Sequence, residues 1–245
     1  MSARAWRALA AADSQILWRD PLLGWVLLLP LSVALMLRVL IPPITGTLAA
    51  NGFQLEPFYP LIMSGYLMTA PGIVGMVVGF LLLDERDART LSALRVTPLS
   101  IRQYLAYRLT GPLIVGTVTT LVAYPLAGLV PMPLSILLPI AAVGGLSAPT
   151  LALVLAIAAP NKVAGFAVVK VLNLINLLPL LAYFVSMPAQ LLAGVLPAFW
   201  PMRAFWAAAD QQPILPFLVA GVLSGLAALL LAVWLFEKRT ATRTV

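Results

Sequence analysis

The chain has 245 residues, of which 62% are hydrophobic and 9% are charged, and its formal net charge is +7. Soluble domains carry roughly 25% charged residues, so this composition excludes an ordinary soluble domain. The absence of cysteine and histidine excludes disulfides, Cys/His metal sites and histidine-based catalysis, and the basic residues are too dispersed for nucleic-acid binding.

Residues 1–20 have an amphipathic pattern. Trp6, Leu9, Ile16 and Leu17 recur at near-helical spacing with arginines and aspartates between them. This pattern favours a helix lying in the membrane interface, and the alternative is a solvated tail. The same charges interrupt any apolar core, so we expect no cleavable signal peptide.

Six apolar blocks are each long enough to cross a bilayer, which takes roughly 20 residues per helix. The predicted spans are residues 22–41, 58–83, 104–129, 134–158, 163–185 and 214–236. The fold class is therefore an all-α integral membrane protein with one transmembrane domain over residues 1–245. A proline- and tryptophan-rich segment, residues 186–213, separates the last two spans.

The distribution of basic residues predicts the orientation. Of the 15 basic residues, all but Arg38, Lys170 and Arg203 fall on the face that carries both termini and the loop after the second span. Because lysine and arginine are retained on the cytoplasmic side, both termini are predicted to be cytoplasmic. Lys170 lies inside the fifth span, from which its side chain could snorkel to that interface.

No internal energy source is visible in the sequence. The three lysines follow Asn161, Val169 and Glu237, so the chain lacks the Gly-Lys pair of a phosphate-binding loop. All eight acidic residues fall in predicted loops, tails or helix ends, which disfavours an ion-coupled transporter because such proteins need ionisable groups inside the membrane.

Residues 84–103, DERDARTLSALRVTPLSIRQ, form the most informative polar segment. Leu91 and Leu94 among flanking charges predict a short amphipathic helix, Pro98 ends it, and Ser100 with Gln103 matches a capping box. Such a segment could present a firm surface to a cytoplasmic partner. The alternative is a solvated connection whose charges only enforce topology.

The run LLLDERDARTLSALRVTPLSIRQYLAYRL resembles the segment between the second and third spans of the type 2 permease family of ABC transporters. Arg89 departs from that family's pattern, in which a glycine commonly precedes the threonine. Residues 161–170 and 197–201 are also similar to bacterial fluoroquinolone and multidrug export permeases.

The resemblance implies a coupling helix over residues 84–99 that docks on a separate ABC ATPase subunit. The docking residues would be Asp84, Glu85, Arg86, Asp87, Arg89, Thr90, Leu91, Leu94 and Arg95. ATP and Mg²⁺ would bind to that subunit and no cofactor to this chain. The resemblance further implies a second permease subunit, as homodimer or heterodimer, a bacterial inner-membrane location and re-entrant helices in the outer segment.

Candidate substrate contacts lie on the second and fifth spans. They are polarizable or hydrogen-bonding side chains in apolar surroundings: Tyr66, Met68, Met76, Asn173 and Asn176. Asn173 and Asn176 are three apart and share a helix face. The alternative role of all five is packing or hydrogen bonding between helices.

The outer segment supplies a candidate gate, formed by Phe199, Trp200, Arg203 and Trp206. The alternative for its tryptophans is anchoring at the membrane interface. The pairs Gly75/Gly79 and Gly221/Gly225 match the spacing for close helix approach, either between two subunits or within one.

These observations predict the membrane subunit of an ABC exporter that moves a hydrophobic or amphipathic small molecule, such as a drug, out of the cell. The subunit itself would not be an enzyme. The alternatives are an ion-coupled secondary transporter and, as a third class, a membrane-embedded enzyme or a membrane scaffold subunit.

Overall fold

The computed structural model describes residues 25–87 and 101–242. These residues form helices and connecting turns, with no strand among them. The α-helices are, in chain order, α1 (Leu29–Ala50), α2 (Tyr59–Leu67), α3 (Thr69–Asp87), α4 (Ile101–Ala127), α5 (Leu134–Gly145), α6 (Ser147–Ala158), α7 (Lys162–Leu177), α8 (Phe199–Ala209) and α9 (Leu215–Thr242). Short 3₁₀ helices occupy Glu56–Phe58, Leu178–Phe184 and Ala189–Val195.

Six stretches of the described chain are long and apolar enough to cross a membrane, which confirms the predicted all-α membrane fold. The spans, numbered first to sixth, are Leu29–Ala50, Glu56–Arg86, Tyr104–Ala127, Leu134–Ala158, Lys162–Phe184 and Leu215–Arg239. The predicted interfacial helix, residues 1–20, lies outside the described residues.

The first span differs from its predicted limits because α1 continues through Pro42 and Pro43 to Ala50. Each proline removes one backbone donor, so the sequence predicts a helix that ends at Ile41. Within a bilayer, helix geometry persists because unpaired backbone groups have no water to bind.

The second and fourth spans are each broken once, at Met68 and Leu146. Pro71 and Pro149 lie four residues after Leu67 and Gly145, so those two carbonyls lose the N–H that would extend the helix. The two breaks face each other: a side-chain carbon added at Gly144 would lie 3.4 Å from Leu67 and 3.5 Å from Met68.

The broken spans also form the centre of the bundle. In their most apolar windows 72% of the second span and 61% of the fourth is buried, against 11% of the first and fifth and 17% of the sixth. The molecule is therefore built around two kinked helices, and the first, fifth and sixth spans present most of their apolar surface outward.

Both glycine pairs serve packing within this chain. A side-chain carbon on Gly75 would meet the Ala148 backbone oxygen at 2.6 Å, and one on Gly79 would meet Leu155 at 2.7 Å. On the sixth span, Gly221 lies against Val143 and Gly225 against Leu146. The close approaches allowed by these glycines join the second and sixth spans to the fourth.

Candidate functional site

One end of the bundle carries a layer of charged contacts, here called the basic end. It contains the end of the second span, the start of the third, the turn between the fourth and fifth, and the end of the sixth. Asp84 accepts a hydrogen bond from the Lys162 ammonium at 3.0 Å, which ties the second span to the fifth. Both side chains are partly exposed, so this ion pair is weak.

A second ion pair at the basic end is much more deeply buried. The Arg108 guanidinium contacts the Glu85 carboxylate, and the Tyr104 hydroxyl donates to the same carboxylate. Arg108 is 4% exposed, and its guanidinium lies 5.5 Å and 5.6 Å from the ring centres of Tyr104 and Tyr107. These contacts fix the end of the second span to the start of the third.

Arg86 binds the last turn of the fourth span. Its Nη1 donates to the carbonyl oxygens of Ala156 at 3.1 Å and Ala159 at 2.9 Å, and its Nη2 donates to Pro160 at 2.7 Å. The last carbonyls of a helix have no partner within the helix, and a cation is favourable there. Arg239 of the sixth span donates to the Ile157 carbonyl of the same turn.

The basic end therefore contains the residues that precede and follow the predicted coupling segment. Asp84, Glu85 and Arg86, the first three predicted docking residues, bind groups of other spans, and Asp87 ends α3. The remaining docking residues, Arg89, Thr90, Leu91, Leu94 and Arg95, lie outside the described residues. Their role stays a prediction.

The five candidate substrate contacts do not meet at one site. Tyr66 is buried and donates its hydroxyl to the Pro30 carbonyl oxygen of the first span at 2.8 Å. Met76 packs, half-buried, in a separate apolar cluster with the fifth span. Asn173 is exposed beside Gly72, whereas Met68 and Asn176 line a common cavity.

That cavity lies where the two helix breaks meet the outer segment. Its volume is about 70 Å³, and its lining includes Met68, Leu146, Thr150, Asn176 and Pro201. Drug-sized ligands occupy sites of roughly 300–1,000 Å³. The cavity is therefore too small for a drug-sized molecule. Met68 and Asn176 do not enclose a drug-binding site in this conformation.

The four candidate gate residues all lie on α8, between the fifth and sixth spans. Phe199 and Trp206 are almost wholly buried, and the Trp206 indole donates to the Ser64 hydroxyl of the second span at 2.8 Å. Burial contradicts an interface-anchor role for Trp206. Trp200 is half-buried and donates to the Gly194 carbonyl oxygen at 2.9 Å.

Arg203 is the charged residue of this group. It is 8% exposed, and its guanidinium lies 4.3 Å from the ring centre of Phe217 at the start of the sixth span. Its Nε has no hydrogen-bond partner among the described residues. Burial lowers the pKa of Arg203, and the carboxylate of Asp210 partly opposes that shift.

Sequence reasoning missed the partners that organise the basic end. Tyr104 and Arg108 are four residues apart on one helix face, a signal that could have marked them as a unit. From the sequence, Lys162, Arg108 and Arg239 indicate only the topology. Their partners in the second and fourth spans lie too far away along the sequence for spacing to reveal.

Six apolar spans, a core built on two kinked helices and a charged layer at one end define a multi-pass helical membrane protein. The chain belongs to the family described as "Fluoroquinolones export permease protein Rv2686c-like", whose model matches residues 13–235. Membership of that family identifies the chain as a membrane permease.

Two Mycobacterium tuberculosis proteins are similar along nearly the whole chain. They are named "Fluoroquinolones export permease protein Rv2686c", from strain ATCC 25618 / H37Rv, and "Fluoroquinolones export permease protein MT2760", from strain CDC 1551 / Oshkosh. Each is 39% identical over 241 residues, covering 96% of this chain and 94% of the relative. No solved structure matches the chain.

Proposed function

We propose that this chain is the membrane-spanning subunit of an ABC exporter. It moves a hydrophobic or amphipathic small molecule, such as a fluoroquinolone, out of the cell, and ATP with Mg²⁺ is consumed on a separate ATPase subunit. The names of the relatives support the export of a drug of this class. The lack of a phosphate-binding loop supports a separate source of energy.

The observation that carries the coupling proposal is the network at the basic end. Residues 88–100 leave the second span directly after Asp84, Glu85 and Arg86 and join the third span just before Tyr104 and Arg108. These side chains connect the second span to the third, fourth and fifth. A force on the segment would therefore reach four of the six spans through hydrogen bonds and ion pairs.

The same network supports a mechanism by tilting of the bundle. Closure of the ATPase on nucleotide would displace residues 84–99, and the central second and fourth spans would move with them. The breaks at Met68 and Leu146 divide these spans into inner and outer halves. The inner halves can therefore tilt while the outer halves remain packed against α8.

The proposed orientation places the basic end in the cytoplasm of a bacterial cell, at the inner membrane. The arginines and lysines of the basic end support this orientation because basic residues are retained on that side. A second permease subunit completes the pathway. The outward apolar surface of the first and sixth spans is available for that subunit and for lipid.

The docking proposal is tested by replacing Leu91 and Leu94 together with aspartate. The chain is co-expressed with the ABC ATPase subunit that we propose as its partner, and the complex is purified through a tag on the permease. We expect Leu91→Asp with Leu94→Asp to abolish co-purification of the ATPase, because two charges would replace the apolar face of the coupling helix.

The matched control is Leu91→Met with Leu94→Met, which keeps that face apolar at nearly constant volume. This pair should retain the ATPase, and both variants should reach the membrane in equal amounts. Retention of the ATPase by the double aspartate variant would contradict docking through residues 84–99.

A further inference from the structure

The outward face of the fifth span carries a charged residue that no packing contact explains. Lys170 is exposed, although it lies eight residues, or about 12 Å along the helix, from Lys162 at the basic end. The other face of this helix is packed, with Val169 buried against the second and fourth spans. A lysine inside a span is costly and marks a substrate or ion pathway more often than a lipid-facing surface.

Two further side chains share this face with Lys170. Phe166 lies one turn towards the basic end and Asn173 one turn towards the outer end, so the three follow helical spacing on one stripe. Both are exposed. The Phe166 ring rests on buried Phe80, with 4.7 Å between ring centres, which holds it in place beside the lysine.

Asn173 of the fifth span lies beside Gly72 of the second span. A side-chain carbon added at Gly72 would lie 3.9 Å from the Asn173 amide oxygen, with no other atom within 4 Å. Gly72 therefore has room for one side-chain carbon in ordinary van der Waals contact with the amide. In the described part of the chain, neither Lys170 nor Asn173 has a hydrogen-bond or ion-pair partner.

We propose that Phe166, Lys170 and Asn173 form a binding site for an aromatic carboxylate on the outward face of the fifth span. The Lys170 ammonium and the Asn173 amide donate to the carboxylate, and such charge-assisted bonds are strong in apolar surroundings. The Phe166 ring contacts the aromatic body of the ligand. This inference rests on the proposed export function and names the residues that would recognise the carboxylate of the exported molecule.

Charge selects this occupant over a second copy packed directly on the face. The fifth span contains no acidic residue between positions 162 and 184. A copy docked there through its own fifth span would add another lysine in an apolar contact without supplying an anion. A ligand with a carboxylate supplies that anion, and a lipid phosphate is the competing source.

The test measures ligand binding to the full-length chain in lipid nanodiscs. The probe is a fluorescent fluoroquinolone with a free carboxylate, compared with its methyl ester, in phosphatidylcholine alone and with phosphatidylglycerol added. We expect Lys170→Met to weaken binding of the acid about tenfold or more and to leave binding of the ester unchanged. Lys170→Arg should retain binding of the acid.

The control is Lys238→Met, which removes a lysine at the basic end and should leave both affinities unchanged. An equal effect of Lys170→Met on acid and ester would overturn the site. It would also be overturned if Lys170→Met left acid binding intact and only reduced retention of phosphatidylglycerol. If acid binding depends on Lys170 but the complex does not export the fluoroquinolone, the proposed function is contradicted and the binding site is not.

Discussion

Three consecutive side chains at the end of the second span bind three different parts of the molecule. Asp84 reaches Lys162, Glu85 reaches Arg108, and Arg86 reaches the carbonyls that end the fourth span. Their burial differs, and burial determines what each contact contributes. An exposed ion pair contributes about 0–1 kcal/mol, whereas removing one partner of a buried pair costs about 3–5 kcal/mol.

This difference gives a matched pair of variants. Arg108→Met leaves the Glu85 carboxylate without its buried partner, so we expect the free energy of unfolding in detergent micelles to fall by about 3 kcal/mol. Lys162→Met removes the same kind of charge from the exposed pair and should lower the free energy of unfolding by less than about 1 kcal/mol. Equal losses in the two variants would show that the Glu85–Arg108 pair is not the stronger tie.

At the scale of elements, proline and glycine decide how the central helices are shaped and how closely they approach. Pro71 and Pro149 break the second and fourth spans, whereas Pro42 and Pro43 leave the first span continuous. Below the break, Gly75 and Gly79 bring α3 against α6. Small residues allow such approach in membranes, where packing replaces the hydrophobic effect between helices.

The packing role of Gly75 can be tested against a glycine in open surroundings. Gly75→Val would place carbon atoms against the Ala148 backbone, so we expect destabilisation of about 1–3 kcal/mol from overpacking. A side-chain carbon added at Gly111 meets nothing within 4 Å, so Gly111→Val should be neutral or slightly stabilising, because valine is the better helix former. Thermal unfolding of both purified variants measures the difference. Comparable stability would contradict the close approach of α3 and α6.

The element limits show what the sequence can predict. The fourth span was predicted at 134–158 and occupies those residues, because proline-containing turns mark both its ends. The first span ends later than predicted, at Ala50, because a proline inside a membrane helix need not end it. The breaks at Met68 and Leu146 were not predicted, since Pro71 and Pro149 carry the same local signal as prolines that leave a helix intact.

The candidate site was less predictable than the fold. Residue type and position identified Asp84, Glu85 and Arg86, but their partners come from helices up to about 78 residues away along the chain. Asn173 and Asn176 were expected to share a helix face, but residues three apart still differ by roughly 60° around the helix axis and by one turn along it. Asn173 therefore lies beside Gly72, whereas Asn176 lines the cavity. Side-chain neighbours depend on helix rotation, which periodicity alone leaves undetermined.

At the scale of the whole molecule, a packed centre is flanked by spans that present most of their apolar surface outward. The second and fourth spans and α8 form the core, and the basic end joins them to the segment that we propose as the docking element. The first and fifth spans face outward, and the fifth carries Lys170 and Asn173 on that surface.

The most direct test is a transport assay in sealed, inside-out vesicles of the bacterial membrane. In these vesicles the cytoplasmic face is outside, so export appears as uptake. Vesicles containing this chain and its ATPase should accumulate a fluoroquinolone against its gradient with ATP, and the accumulation should persist when an ionophore collapses the ion gradients. Either protein alone should give none. Uphill accumulation by this chain alone, driven by an ion gradient without nucleotide, would contradict the conclusion that it takes its energy from a separate ATPase.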